Sequence, residues 1–228
     1  MFSHTINNPN NFVIETDYHI IPSGSKCCSA LACKFANLRK FSLPFDWTIP
    51  VFPAKIQKVL ENNFDDFIPD VRNRKFKNKY GIGISHFNPN IDMGIEEYKR
   101  RIIRFNDIIN QPKKIYFVYI NEEYLYNRSY RTDKFNKVIF NQMLEFEKFI
   151  KNKYTNINYN ILYFNFIQHN IPAHSNIINI VLQTDKLYTV TQKSPYNEFR
   201  MYCGKILSEL FNTNIEQRID YNINIYKN

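Results

Sequence analysis

Glycine and tryptophan are scarce in this chain, with five Gly and one Trp in 228 residues. So few glycines leave no phosphate-cradling loop, because Gly81-Ile82-Gly83 lacks the third glycine and the following helix that such a loop needs. Cysteine, with four residues, is scarcer than glycine. Cys27, Cys28, Cys33 and Cys203 make no C-x-x-C pair and no paired zinc spacing, and the adjacent Cys27-Cys28 would make a strained bond. That pattern argues against a disulfide framework and against a metal centre. No apolar run approaches the roughly 20 residues that span a bilayer, and the Asn-rich start has no signal-peptide pattern. There is no internal repeat, no long Lys/Arg block and no aromatic-plus-basic RNA-binding signature. These absences predict a soluble protein of a reducing, cytoplasmic compartment, without cofactor and without membrane contact.

What the chain does contain is apolar and basic. Apolar residues make up 44% and aromatics 16%, enough for one sizeable core at this length. Its Asn, Ile, Lys and Tyr content looks like the bias of an AT-rich genome more than a structural demand. The net charge of +9 admits two readings, a solvated basic surface or an attraction for nucleic acid or another polyanion. The densest basic stretch is residues 72–79, RNRKFKNK, which has the make-up of an exposed loop.

Periodicity predicts a polar tail over residues 1–11 and a single domain over 12–220. A strand over Phe12–Ile21 delivers a tight turn, Pro22 to Lys26, and then a helix over Cys28–Leu38. Pro44, Pro50 and Pro53 make the following region a shaped loop, with Pro53 fitting the first turn of a helix over Ala54–Asn62. A short strand ends at His86. Ile95, Tyr98, Ile102, Phe105 and Ile109 recur at helical spacing. Buried strands are expected at Ile115–Ile120, Ile161–Phe166 and Ile177–Leu182, separated and followed by helices at Lys134–Lys153 and Tyr196–Phe211. This alternation predicts an α/β fold, a mostly parallel sheet flanked by helices.

The chemistry-bearing stretch is residues 20–47. A cysteine just past a glycine turn and at a helix start meets free N–H groups and the positive dipole end, which favour thiolate. Such placement lowers a thiol from about 8.5 to roughly 3.5–7.5. Cys27 is therefore the candidate nucleophile, against the plainer fate of a buried structural thiol. His86, fixed at a strand end, is the candidate base, with His19 as rival. Either Asn121, at the end of the next strand, or Asp46 is placed to orient that base. Arg100, Arg101 and Arg104 read as a solvated helix face or as an anion-binding ridge.

The same stretch resembles a known family. Gly24, Cys27 and Ala30 in G-x-x-C-x-x-A, then Leu38-Arg39, then Ser42 with Pro44-Phe45-Asp46-Trp47, look like the signature of the DUF1796 family, described as papain-like cysteine peptidases. A histidine after a short strand and an R-R-x-x-R-F helix fit the same pattern, so the likeness covers roughly residues 12–120. The resemblance implies a thiol hydrolase or acyltransferase acting on a peptide or other acyl substrate through a Cys27–His86 pair. Gly24, Trp47, Arg101 and Arg104 would then serve the substrate. It also implies an alternative fold, a helical half packed on an antiparallel sheet. A reading from a different class is a non-catalytic basic module that binds nucleic acid or another polyanion.

Overall fold

The computed structural model describes residues 2–7, 14–73, 75–126, 128–184 and 193–214. Residues 1, 8–13, 74, 127, 185–192 and 215–220, which the expectations above include, lie outside the described residues. In chain order the strands are β1 (Phe2–Asn7), β2 (Tyr18–Pro22), β3 (Thr48–Ile49), β4 (Gly83–Ile84), β5 (Lys114–Ile120), β6 (Tyr159–Asn165) and β7 (Ile177–Thr184). The helices are α1 (Cys28–Phe35), α2 (Pro53–Glu61), α3 (Ile91–Ile109), α4 (Glu123–Tyr126), α5 (Asp133–Lys153) and α6 (Lys193–Phe211).

The main sheet has the order β1-β7-β6-β5-β2. Its four strands β2, β5, β6 and β7 run parallel, and β1 closes one edge antiparallel to β7. Strands β3 and β4 pair separately as a short antiparallel ribbon. The expected α/β fold with a mostly parallel sheet is therefore present. The antiparallel half of the alternative arrangement is not among the described elements.

Why two layers of helix form follows from the strands. β5 and β6 are buried along their whole length, as parallel strands covered on both faces must be. Side chains alternate. Ile115, Phe117 and Tyr119 enter a core with α2, α3 and α5, while Tyr116, Val118 and Ile120 enter a second core with α1 and α6. No described helix is long and apolar enough to cross a membrane.

Local chemistry explains where the elements depart from expectation. The α3 helix starts at Ile91 because the Asn90 side chain accepts the Met93 N–H at 3.1 Å, a cap upstream of the first apolar repeat. The α1 helix stops at Phe35 because Asn37 is left-handed (φ 55°) and the Leu38 N–H returns to the Cys33 carbonyl at 2.9 Å. Residues 2–7, expected in a polar tail, instead form β1. Their short alternation F-S-H-T-I-N sends Phe2 and Ile6 against the α1–α6 core.

Candidate active site at the carboxyl edge of the sheet

The loop after β2 folds over the end of β5 and is stapled there by hydroxyls. The Ser23 N–H donates to the Val118 carbonyl at 2.9 Å. Ser25 Oγ donates to the Ile120 carbonyl and accepts the Glu122 N–H, both at 3.2 Å. Ser29 Oγ accepts the Ile120 N–H at 3.1 Å. These bonds bring the backbone so close that a Cβ on Gly24 would sit 1.8 Å from Ser29 Oγ and 3.0 Å from the Ile120 nitrogen. Gly24, assigned by resemblance to substrate binding, is thus required for loop closure.

This stapling fixes Cys27 as the residue that opens α1, where its carbonyl accepts the Leu31 N–H at 3.0 Å. Cys27 is partly exposed, whereas Cys28, Cys33 and Cys203 are buried. Across from it, Arg200 on α6 places Nη2 3.6 Å from the Cys27 sulfur. Arg200 is itself held by the fully buried Glu122, through Nε at 2.9 Å and Nη2 at 2.8 Å. A second pair, Lys26 with Glu123 at 3.3 Å, lies beside the first.

The electrostatics correct one expectation. Burial pushes the Cys27 thiol above its ordinary value; Arg200 opposes that, Glu122 adds to it, and Lys26 opposes it more weakly. A helix start lowers a thiol only when the sulfur is solvated enough for the cation and dipole to outweigh desolvation, and here they do not.

The other expected site residues have other partners. His86 has a left-handed backbone (φ 58°) just past β4 and packs edge-on against Trp47, with centroids 5.5 Å apart. Among the described residues no hydrogen bond joins it to Cys27. Asn121 is fully buried, with its Nδ2 3.4 Å from Asn136 Oδ1 on α5, so it points into the core opposite α1. Asp46 receives Arg39 Nε at 2.9 Å, Arg39 Nη2 at 2.7 Å and the Leu43 N–H at 3.0 Å. Arg39 also donates to Ser42 Oγ at 2.7 Å and lies over the Trp47 ring at 5.4 Å. Phe45 packs among Phe64, Phe67 and Phe105. The L-R and S-x-P-F-D-W segments therefore build a clamp on the 39–47 loop.

The arginines of α3 join that clamp. Arg104 Nη1 donates to the Ser42 carbonyl at 3.1 Å. Arg101, expected on a solvated or anion-binding face, is only 3% exposed; it pairs with Glu97 and lies over the Tyr98 ring at 4.4 Å. Only Arg100 of the three is exposed.

The residues that sequence reasoning missed are Glu122 and Arg200. Period-two alternation continued past Ile120 puts Asn121 on the α5 side and Glu122 on the α1 side, so Glu122 was readable. Arg200 was not, since its proximity to Cys27 arises from the packing of two helices distant in the chain. Among the described residues no group of three or more His, Cys, Asp or Glu side chains is placed to hold a metal ion. No family model, curated protein or solved structure matches this chain.

Proposed function

We propose that the chain is a thiol-dependent acyl-transfer enzyme, a papain-like cysteine hydrolase in its chemistry, with Cys27 as nucleophile. The observation that carries this reading is the partly exposed residue Cys27 at the opening of α1, its sulfur 3.6 Å from the Arg200 cation and at the carboxyl edge of a parallel sheet. That edge is where open α/β sheets place their ligands. In this reading the thiol proton leaves to solvent as the thiolate forms beside Arg200. The sulfur attacks a carbonyl carbon, the leaving group departs with a proton from water, and water or another nucleophile then releases the acyl group from the thioester. First-turn N–H groups of α1 would face the developing oxyanion. The geometry brings Arg200 to Cys27 and leaves His86 with Trp47, so Arg200 takes the place at the sulfur that the resemblance gives to a histidine.

The test is turnover of an activated thioester or aminoacyl-coumarin donor, read by product release and by mass spectrometry of the protein. The expected result is many donor molecules cleaved per chain, an acyl adduct on Cys27 that hydroxylamine removes, and loss of both in Cys27→Ser. A single stoichiometric acylation without turnover, or turnover retained in Cys27→Ser, would overturn the reading.

A further inference from the structure

One nitrogen in this site serves two acceptors. Arg200 Nη2 lies 2.8 Å from Glu122 Oε1 and 3.6 Å from the Cys27 sulfur. Both contacts are ordinary for their acceptors, because sulfur is the larger atom and Nη2 carries two N–H donors. The Glu122 carboxylate, held by both Nε and Nη2, neutralises much of the positive charge that would otherwise favour a thiolate at the sulfur.

We infer that Glu122 is a restraining residue, which governs the nucleophilicity of Cys27 by neutralising the Arg200 charge beside it. The inference rests on the reading of Cys27 as nucleophile and gives that site its regulation. With the carboxylate against it, the Arg200 charge is largely answered and the sulfur keeps its proton. When the Glu122 charge is removed, the uncompensated guanidinium favours thiolate, and the thiol proton is released to solvent. Glu122 is built for this role by position. It is fully buried, its N–H is fixed by Ser25 Oγ at 3.2 Å, and the same serine belongs to the loop that presents Cys27.

The charged groups facing the sulfur come from each element around it: Arg200 from α6, Glu122 from the end of β5, and Lys26 from the loop itself. Lys26 is in turn paired with Glu123 at 3.3 Å. The thiols of Cys28 and Cys203 lie deeper in the α1–α6 core. Of these groups Arg200 is the one in hydrogen-bond contact with the sulfur, so the balance between Arg200 and Glu122 sets the sign. Removing the Glu122 charge moves the thiol back toward its ordinary value, which raises the thiolate fraction at a fixed pH. Removing the Arg200 charge moves it further up.

The experiment measures iodoacetamide alkylation of Cys27 against pH, resolved by mass spectrometry. The thiolate displaces iodide to give the thioether, so the rate reports the thiolate fraction. In Glu122→Gln the midpoint is expected to fall by about one pH unit, a roughly tenfold faster reaction near neutrality. In Arg200→Met it is expected to rise. In the double variant the part of the Glu122→Gln gain that runs through Arg200 should be lost, leaving only the direct effect of the carboxylate on the sulfur. The buried Cys28, Cys33 and Cys203 serve as an internal folding control, since they stay unmodified while the core is intact. If Arg200→Met exposes them, Arg200→Lys replaces it and should retain the charge but lose the fork. An unchanged or slower reaction in Glu122→Gln, or the full gain persisting without Arg200, would overturn the inference. Alkylation needs no substrate, so this outcome is separable from thioester turnover: acceleration without turnover would sink the acyl-transfer reading alone.

Discussion

Asp46 shows how much a single buried carboxylate can be asked to hold. Its side chain is fully buried, and that of Arg39 is 15% exposed. Burial alone raises the carboxyl, and Arg39 with the Leu43 N–H pull it back. A pair of this kind adds little over an apolar equivalent, yet breaking it strands a guanidinium in a dry site. Asp46→Asn is therefore expected to cost about 3 kcal/mol, which for a chain of this size lowers the melting temperature by roughly 6–12 °C. The Cys27 alkylation profile should stay where it is, because Arg39 and Asp46 make no contact with Cys27. Thermal denaturation and alkylation on the same preparation check both halves. A shifted profile with unchanged melting would give Asp46 a role at the sulfur instead.

At the scale of elements, the site depends on how tightly α6 lies on α1. Arg200 meets Cys27, and one turn later a Cβ on Gly204 would stand 2.7 Å from the Phe35 Cβ and 3.0 Å from the Ala32 carbonyl. Two opposing terms act on Gly204→Ala. Helix propensity favours alanine by about 1 kcal/mol, whereas overpacking against a Cβ and a backbone oxygen costs about 1–3 kcal/mol. Neither obstructing atom is the free end of a flexible chain, so overpacking should win. The expected outcome is a modest loss of stability with α6 displaced from α1, and a Cys27 alkylation midpoint moved up as Arg200 withdraws. A more stable variant with unchanged alkylation would show that the two helices have slack. Much of this architecture was legible in the sequence. The apolar runs of β5, β6 and β7 and the repeats of α3, α5 and α6 each carry a strong period over many residues. β1 was hidden because half of its alternation is polar and its partner β7 lies at the other end of the chain. Of the candidate site, only Cys27 and its glycine turn were legible. His86 read as a fixed strand end, but β4 is two residues long and its backbone turns left-handed there. The motif around Asp46 looked like part of a catalytic set because nothing local reveals that Arg39 folds back upon it.

At the scale of the whole molecule, the excess of 30 basic over 21 acidic residues is less concentrated than the 72–79 stretch implies. Arg72 pairs with Asp92, and Lys79 pairs with Asp66. Arg101 is buried, and Arg104 is spent on the Ser42 carbonyl. Among the described residues of that stretch, the exposed cations outside those pairs are Lys75 and Lys77, on either side of Phe76, which is 67% exposed. Any single-stranded polyanion this chain holds should therefore meet it at residues 75–77, with two cations for phosphate and one ring for stacking. Two released contacts correspond to a salt slope of about 1.4 for a single strand. Such a slope gives weak binding that fades at physiological ionic strength. Lys75→Glu with Lys77→Glu should remove that slope, measured by fluorescence anisotropy with labelled oligonucleotide over a salt series. The same variant should leave Cys27 alkylation and thioester turnover unchanged, since neither lysine is among the charged groups that act on the Cys27 sulfur. Retention of the full slope would move the contact to another surface. Loss of turnover together with the slope would join the basic loop to the thiol site, and the polyanion would then count as part of the substrate.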